Sequence, residues 1–235
     1  MTKHVFIGFL HGMNETDALR WYLRFHSKEV ARFVGPWLRR YETFKAYAPP
    51  PESKRFGAVG GFMTELWYAS AEDFTEARAN YRPYTPPPGG WPAAGGSITI
   101  VPAMPTEDFL RKEPAPEERH ILRWVRMFKY PDGVPPKEAD RWYIEVHSQE
   151  VKQQTGLLKY TSHHALEKPP VPSPWHRLEE LWYEDFDAWR KAVIESPPIY
   201  TTPPWRKEEP FVDMVSNFVG YKPSYDFLKD SPLIP

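Results

Sequence analysis

Two histidines occupy matched places in matched surroundings, and they carry the most pointed chemical signal in the chain. His26 sits in Arg20-Trp21-Tyr22-Leu23-Arg24-Phe25-His26-Ser27-Lys28-Glu29-Val30, and His147 in Arg141-Trp142-Tyr143-Ile144-Glu145-Val146-His147-Ser148-Gln149-Glu150-Val151. At helical spacing Leu19, Tyr22, Leu23, His26, Val30, Phe33 and Val34 share one face, and His147 takes the same place among Ala139, Tyr143, Val146 and Val151. An imidazole in an apolar stripe is carried inward. Burial penalises the imidazolium and leaves a neutral ring able to take a proton near pH 7. General acid/base catalysis at His26 and His147 is one reading. A core histidine bonded to a carbonyl or carboxylate is the other.

Glu65 and Glu180 stand in otherwise apolar strands, and by period two Glu65 shares a face with Trp67 and Glu180 with Trp182. A carboxylate beside an indole on a buried face has a raised pKa or a histidine partner, so a His–Glu pair orienting the base is expected. A salt bridge to a helical Arg or Lys is the alternative. Tyr22, Tyr143, Tyr41 and Tyr160 can donate to a developing enolate or phenolate oxygen, or fill the core with bonded hydroxyls. Trp67 and Trp182 can form flat pocket walls or core. Tyr84 and Tyr200, in matched Pro-rich loops, can cover a cavity mouth or anchor the loop. If Tyr160 faces the pocket, so do Ser162 and His164. His163 then points the other way, and the adjacent pair cannot easily hold one metal ion.

Several chemistries are excluded. The chain has no cysteine, which removes disulfides, thiolate nucleophiles, iron–sulfur clusters and Cys-type zinc sites. No His-X-X-X-His or His-X-His spacing points to a metal. There is no Gly-X-Gly-X-X-Gly and no phosphate loop, so no nucleotide cofactor is expected. The net charge is −1 with no basic block, so nucleic acid lacks an electrostatic partner here. No apolar run approaches the roughly 18–20 residues that span a membrane. The first residues lack the small-residue cleavage site of a signal peptide. A cytoplasmic protein with a small-molecule substrate is expected, with a homodimer possible on its wealth of aromatic residues.

The elements that must position these residues come in two copies. Arg, Trp, Tyr, His, Ser, Glu, Val and Gly recur at identical offsets from Arg20 to Gly35 and from Arg141 to Gly156. Tyr41 and Tyr160 follow. Glu65-Leu66-Trp67-Tyr68 then matches Glu180-Leu181-Trp182-Tyr183, and Tyr84-Thr85-Pro86-Pro87-Pro88 matches Tyr200-Thr201-Thr202-Pro203-Pro204. The order is kept throughout, which marks a duplicated unit of about 115–120 residues. Each copy reads β-α-β-β-α-β. In the first, strands are expected over 5–10, 37–47, 58–68 and 97–101. Its helices run from an Asn14 cap to about 34 and over 71–80. In the second, strands cover 121–129, 157–166, 175–183 and 211–218, and helices cover 136–154 and 186–195. Residues 107–119, rich in charge and proline, read as a linker between units at 1–106 and 120–235.

This is the ferredoxin-like split arrangement, whose sheet carries helices on one face and must bury the other. The fold class expected is α+β: two tandem ferredoxin-like units packed as an intramolecular pseudo-dimeric α+β barrel. The series of helix aromatic pair, His, Val, Gly, strand Tyr and Glu-Leu-Trp-aromatic resembles the EthD family of the dimeric α+β barrel superfamily, over nearly all of both repeats. Gly35-Pro36 and Thr155-Gly156 depart from the family's Pro-Gly before strand two. The basic residue usual near the end of strand one is replaced around His11, whereas the second copy offers Arg126 and Lys129, so the two sites have diverged. The resemblance implies a cofactor-independent enzyme on a small aromatic or phenolic molecule. The expected reaction is a lyase or isomerase step by His general acid/base catalysis, with Arg126 or a Tyr steadying the anion. It also leaves open a cofactor-free monooxygenase, a haem-binding member, and a non-catalytic carrier.

Overall fold

The structure, a computed structural model, describes residues 1–9, 14–82, 84–87, 89–90, 94–102, 107–111, 121–221 and 225–228. His11, residues 112–119 of the expected linker and parts of the Pro-rich loop at 83–93 lie outside the described residues. No helix among the described residues is long and apolar enough to cross a membrane.

The first repeat runs β1 (Thr2–Phe9), α1 (Glu15–Trp21), a π turn (Tyr22–His26), α2 (Ser27–Val34), β2 (Leu38–Lys45), β3 (Phe62–Tyr68), α3 (Ala71–Ala79), β4 (Ala94–Ile100) and β5 (Glu107–Arg111). The second runs β6 (Leu122–Lys129), α4 (Pro136–Trp142), a π turn (Tyr143–His147), α5 (Ser148–Val151), β7 (Lys159–His164), β8 (Arg177–Tyr183), α6 (Phe186–Arg190), a π turn (Lys191–Glu195), β9 (Asp213–Gly220) and β10 (Tyr225–Asp226). The caps follow from the sequence. The Asn14 side chain accepts from the Asp17 amide at 2.9 Å, Ser70 from Asp73 at 3.1 Å and Asp185 from Ala188 at 2.8 Å, each satisfying an otherwise orphaned helix N–H.

Two antiparallel sheets result, ordered β10-β2-β3-β1-β4 and β5-β7-β8-β6-β9. The inner four strands of each keep the ferredoxin-like order. The fifth is exchanged: β5 leaves the first repeat to pair with β7, and β10 leaves the second to pair with β2. Residues 107–111, expected as linker, therefore form an edge strand. Their short, charged, Pro-flanked sequence suits an edge strand.

Strand alternation divides the interior into layers. Val5, Ile7, Phe44, Met63, Ile98 and Ile100 of one sheet meet Val125, Met127, Leu178, Val215 and Val219 of the other, forming a core between the sheets. The opposite faces carry the helices. The barrel closes where the Tyr47 amide donates to the Phe218 carbonyl at 2.8 Å and, on the other side, Leu166 to Thr99 at 2.7 Å. Near the first seam Gly57 has φ +64, and a Cβ there would stand 2.1 Å from the Met214 carbonyl, so only glycine allows the two backbones to approach. Each repeat also reaches into its partner. Phe56 packs in the helix-side core of the second, and Val171 against that of the first.

The first helix of each copy differs from the uniform α-helix expected. The Ser27 amide bonds the Tyr22 carbonyl and Ser148 bonds Tyr143, spreading five residues over one turn. The wider turn changes the phase of the stripe. Tyr22, Ser27, Val30 and Val34 are buried, while Leu23, expected inward, is 36% exposed.

Candidate functional site

The parity of the strands separates the glutamates from the histidines. Glu65 shares its face with Trp67 as expected, but that face lies between the sheets. The Lys3 Nζ and Arg123 Nη2 each stand 3.2 Å from Glu65 Oε1, and Arg123 Nε stands 2.6 Å from Glu180 Oε1. Trp182 Nε1 donates to the same Glu180 oxygen at 2.6 Å. Glu65 and Glu180 thus belong to a buried ion cluster that ties one repeat to the other, not to a His–Glu pair. Their partners come from strands, not helices. Burial raises the pKa of both. The surrounding cations outweigh it and hold Glu180 down at about 2 and Glu65 below its ordinary value. Trp67 and Trp182 flank the cluster, with Lys3 Nζ 4.9 Å and Lys159 Nζ 4.2 Å from their respective ring centres. Neither indole is among the residues that line the cavity described below.

The helix side of the second sheet holds a different constellation. Glu179, one residue before Glu180 and so on the opposite face, is 1% exposed. It accepts hydrogen bonds from Tyr143 Oη and, at 2.7 Å, from Tyr160 Oη, and its other oxygen pairs with Arg126 Nη2. Burial pushes Glu179 up, but the Arg126 charge and the two phenols prevail and hold it below its ordinary value. Burial, and then the Glu179 charge, raise both phenols well above the ordinary tyrosine range, so they stay protonated and donate. Arg177, fully buried, closes the set from the far side. Its guanidinium lies 4.7 Å over the Tyr143 ring and donates to Ser162 at 3.1 Å and Asp140 at 3.0 Å.

Arg126, Glu179, Tyr143 and His147 line one narrow cavity of about 30 Å³. Trp142, Tyr200, Phe211 and Phe56 give it aromatic walls, and Glu209 and Gln154 add polar groups. The His147 ring stacks on Trp142 with centroids 5.1 Å apart and planes at 17°, and Phe211 meets it edge-on at 5.9 Å. Burial lowers the His147 pKa to about 4, so the imidazole is neutral across the physiological range. His147 Nδ1, Trp142 Nε1 and Arg126 Nε are buried without a hydrogen-bond partner.

The first repeat places His26 and Tyr84 alike but lacks the charged groups. The strand registers align Phe6 with Arg126, Thr64 with Glu179 and Phe62 with Arg177. Tyr22 Oη therefore bonds Thr64 at 2.7 Å and Tyr41 at 3.1 Å, and its ring stacks on Phe62 at 5.2 Å. His26 stacks on Trp21 at 5.0 Å and is likewise held near pKa 4 by burial. The divergence expected between the copies is thus visible as a polar site in one and an aromatic core in the other.

The matched loops behave alike. Thr85 bonds Glu29 through its amide (2.8 Å) and hydroxyl (2.5 Å), and Thr201 bonds Glu150 through its amide (3.0 Å) and hydroxyl (2.5 Å). This latch brings Tyr84 to 5.0 Å from His26 and Tyr200 to 5.4 Å from His147, ring to ring. Gln154 donates to Tyr200 Oη at 2.9 Å. His164 does not join the cavity. It sits at the surface 2.7 Å from Arg177 Nη2, in a shallow cleft with His176 and Asp140. Among the described residues no group of three or more His, Asp or Glu could hold a metal ion. Sequence reasoning missed Glu179, Glu209 and Arg177. For Glu179 a signal existed, since it shares its strand face with Leu181 and Tyr183 and stands opposite a threonine in the repeat alignment.

No family model matches the chain, and no curated protein matches it in sequence. Among solved structures it is similar to an anthrone oxidase-like protein, with a TM-score of 0.55 and 11% identity over 93% of this chain and 90% of that one. It is also similar to the chlorite dismutase of Candidatus Nitrospira defluvii, with a TM-score of 0.49 and 8% identity over 93% and 90%. At such identity the likeness is one of fold. The fold is an α+β barrel in which two tandem ferredoxin-like units pack sheet to sheet.

Proposed function

We propose that the second repeat is a cofactor-independent enzyme of EthD type that removes a proton from a small, flat aromatic or phenolic molecule, as a lyase or isomerase. The observation that carries this reading is the set of unpartnered polar atoms on one aromatic cavity: His147 Nδ1, Trp142 Nε1 and Arg126 Nε. Buried polar groups are paired in the great majority of cases, so three together indicate a missing hydrogen-bonding occupant. The indole, phenol and phenyl walls have the chemistry to face a planar ring, which enters the cavity of about 30 Å³ only once the Tyr200 loop opens.

In this reading the neutral His147 imidazole accepts the proton. Trp142 Nε1–H and Arg126 donate to the oxygen on which charge develops, in a site where burial strengthens both bonds. Glu179 and its two phenols fix the Arg126 guanidinium, and Tyr200 shuts the mouth. The test is a panel of small phenols and aromatic ketones titrated against the protein, read by tryptophan fluorescence and by loss of the labile proton in deuterated water. Exchange that falls about 10²–10⁴-fold in His147→Ala, with ligand still bound, is expected. Undiminished exchange would rule out His147 as the base. Binding without any exchange would mark a carrier.

A further inference from the structure

The proposed reaction uses one proton acceptor, yet the cavity also holds a carboxylate that the reaction leaves unused. Glu209 comes from the loop wall, whereas His147 comes from the helix wall. Among the described residues the Glu209 carboxylate makes no hydrogen bond and no ion pair. Burial raises its pKa. Arg126 from β6 and Arg55 from the turn at Pro51–Phe56 work against that without overcoming it. The other charged or titratable groups lining the cavity are Tyr200 on its own loop, Glu179 from β8 (neutralised by Arg126), and Tyr143 and the neutral His147 from the π turn. The corresponding loop of the first repeat, 84–93, contains no Asp or Glu. The second carboxylate is therefore confined to the copy that also has Arg126 and Glu179.

We propose that Glu209 is the proton donor of this cavity, acting across it from His147. On this assignment, which rests on the reading of His147 as base, the substrates are aromatic ketones or phenols whose anion is protonated at an atom remote from the one that lost its proton. For allyl phenyl ketone the step balances as follows. His147 takes the proton from the carbon between carbonyl and vinyl group, and the C–H electron pair forms the dienolate. Protonated Glu209 then gives its proton to the terminal carbon, yielding the conjugated phenyl propenyl ketone. His147 releases a proton to solvent and Glu209 regains one, so no oxidant or reductant is consumed.

Allyl phenyl ketone in deuterated water gives two readouts on the full chain: deuterium at the carbon next to the carbonyl, and ultraviolet absorption of the conjugated product. Wild type is expected to show both. Glu209→Gln should lose conversion about 10²–10⁴-fold while deuteration next to the carbonyl continues, and His147→Ala should lose both. Conversion in wild type should also fall as pH rises and Glu209 ionises, and Glu209→Gln should lack that fall. Wild-type conversion rates in Glu209→Gln would overturn the donor assignment and leave the base intact. Undiminished deuteration in His147→Ala would overturn the base, and a wild-type protein that binds the ketone and does neither would overturn both.

Discussion

Glu179 and Arg126 form a buried ion pair, and this sets how the site tolerates substitution. Removing one partner of a buried ion pair leaves the other charge uncompensated, at a cost of about 3–5 kcal/mol. Glu179→Ala is therefore expected to lower the denaturant midpoint severely. The double variant Glu179→Thr with Arg126→Phe, which copies Thr64 and Phe6 of the first repeat, should recover most of that loss while abolishing ligand binding. Urea titrations of the three proteins check it. The histidines add a pH dependence. His4, His26 and His147 are each lowered by burial from 6.5 to about 4. Between those values the unfolded chain binds more protons than the folded one, so stability falls as pH drops from about 6.5 towards 4. Denaturation midpoints at pH 7, 6 and 5 should decline in that order, and His26→Gln with His147→Gln should flatten the slope.

Among the elements, the π turn and the latched loop work as a pair. The turn carries Tyr at its first position and His at its last in both copies, and the following Glu, Glu29 or Glu150, holds the Thr of the loop. This explains why Tyr, His, Ser, Glu and the distant Tyr-Thr recur together. Each Ser returns its hydroxyl to the turn, Ser27 to the Leu23 carbonyl and Ser148 to Ile144. The repeated residues were legible from sequence, but the turn was not. A spacing of i, i+4 fits either helix type, and only the phase after the turn, with Leu23 outside, tells them apart. Glu150→Ala removes two acceptor interactions at an exposed site and is expected to cost only about 1 kcal/mol of global stability. It should nevertheless free the loop. Hydrogen exchange confined to residues 197–205 and faster ligand release would report that, and unchanged exchange there would show that packing alone seats Tyr200.

For the whole molecule, the duplication made the fold readable because two imperfect copies reveal each other's order of strands and helices. Two features stayed hidden for physical reasons. Alternation shows which strand residues share a face, but not which face meets the partner sheet. Glu180 was therefore assigned to the site and Glu179 passed over. The exchange of β5 and β10 depends on pairing far along the chain, and no local pattern encodes it. Both features bear on how the halves hold together. Besides apolar burial, the interface contains Lys3, Glu65, Arg123 and Glu180, with Glu65 shared between a cation of each repeat. Arg123→Met leaves two buried carboxylates facing one lysine and is expected to destabilise by about 3–5 kcal/mol. Replacing the set with apolar residues of similar volume should be near neutral by the same principle, since four charges then need no desolvation. If Arg123 joins the halves, its single variant should also lower the cooperativity of unfolding. The slope of the denaturant transition should fall along with its midpoint, as one repeat loosens before the other. An unchanged slope would mean that the exchanged strands and the apolar core suffice to keep the two repeats a single cooperative unit.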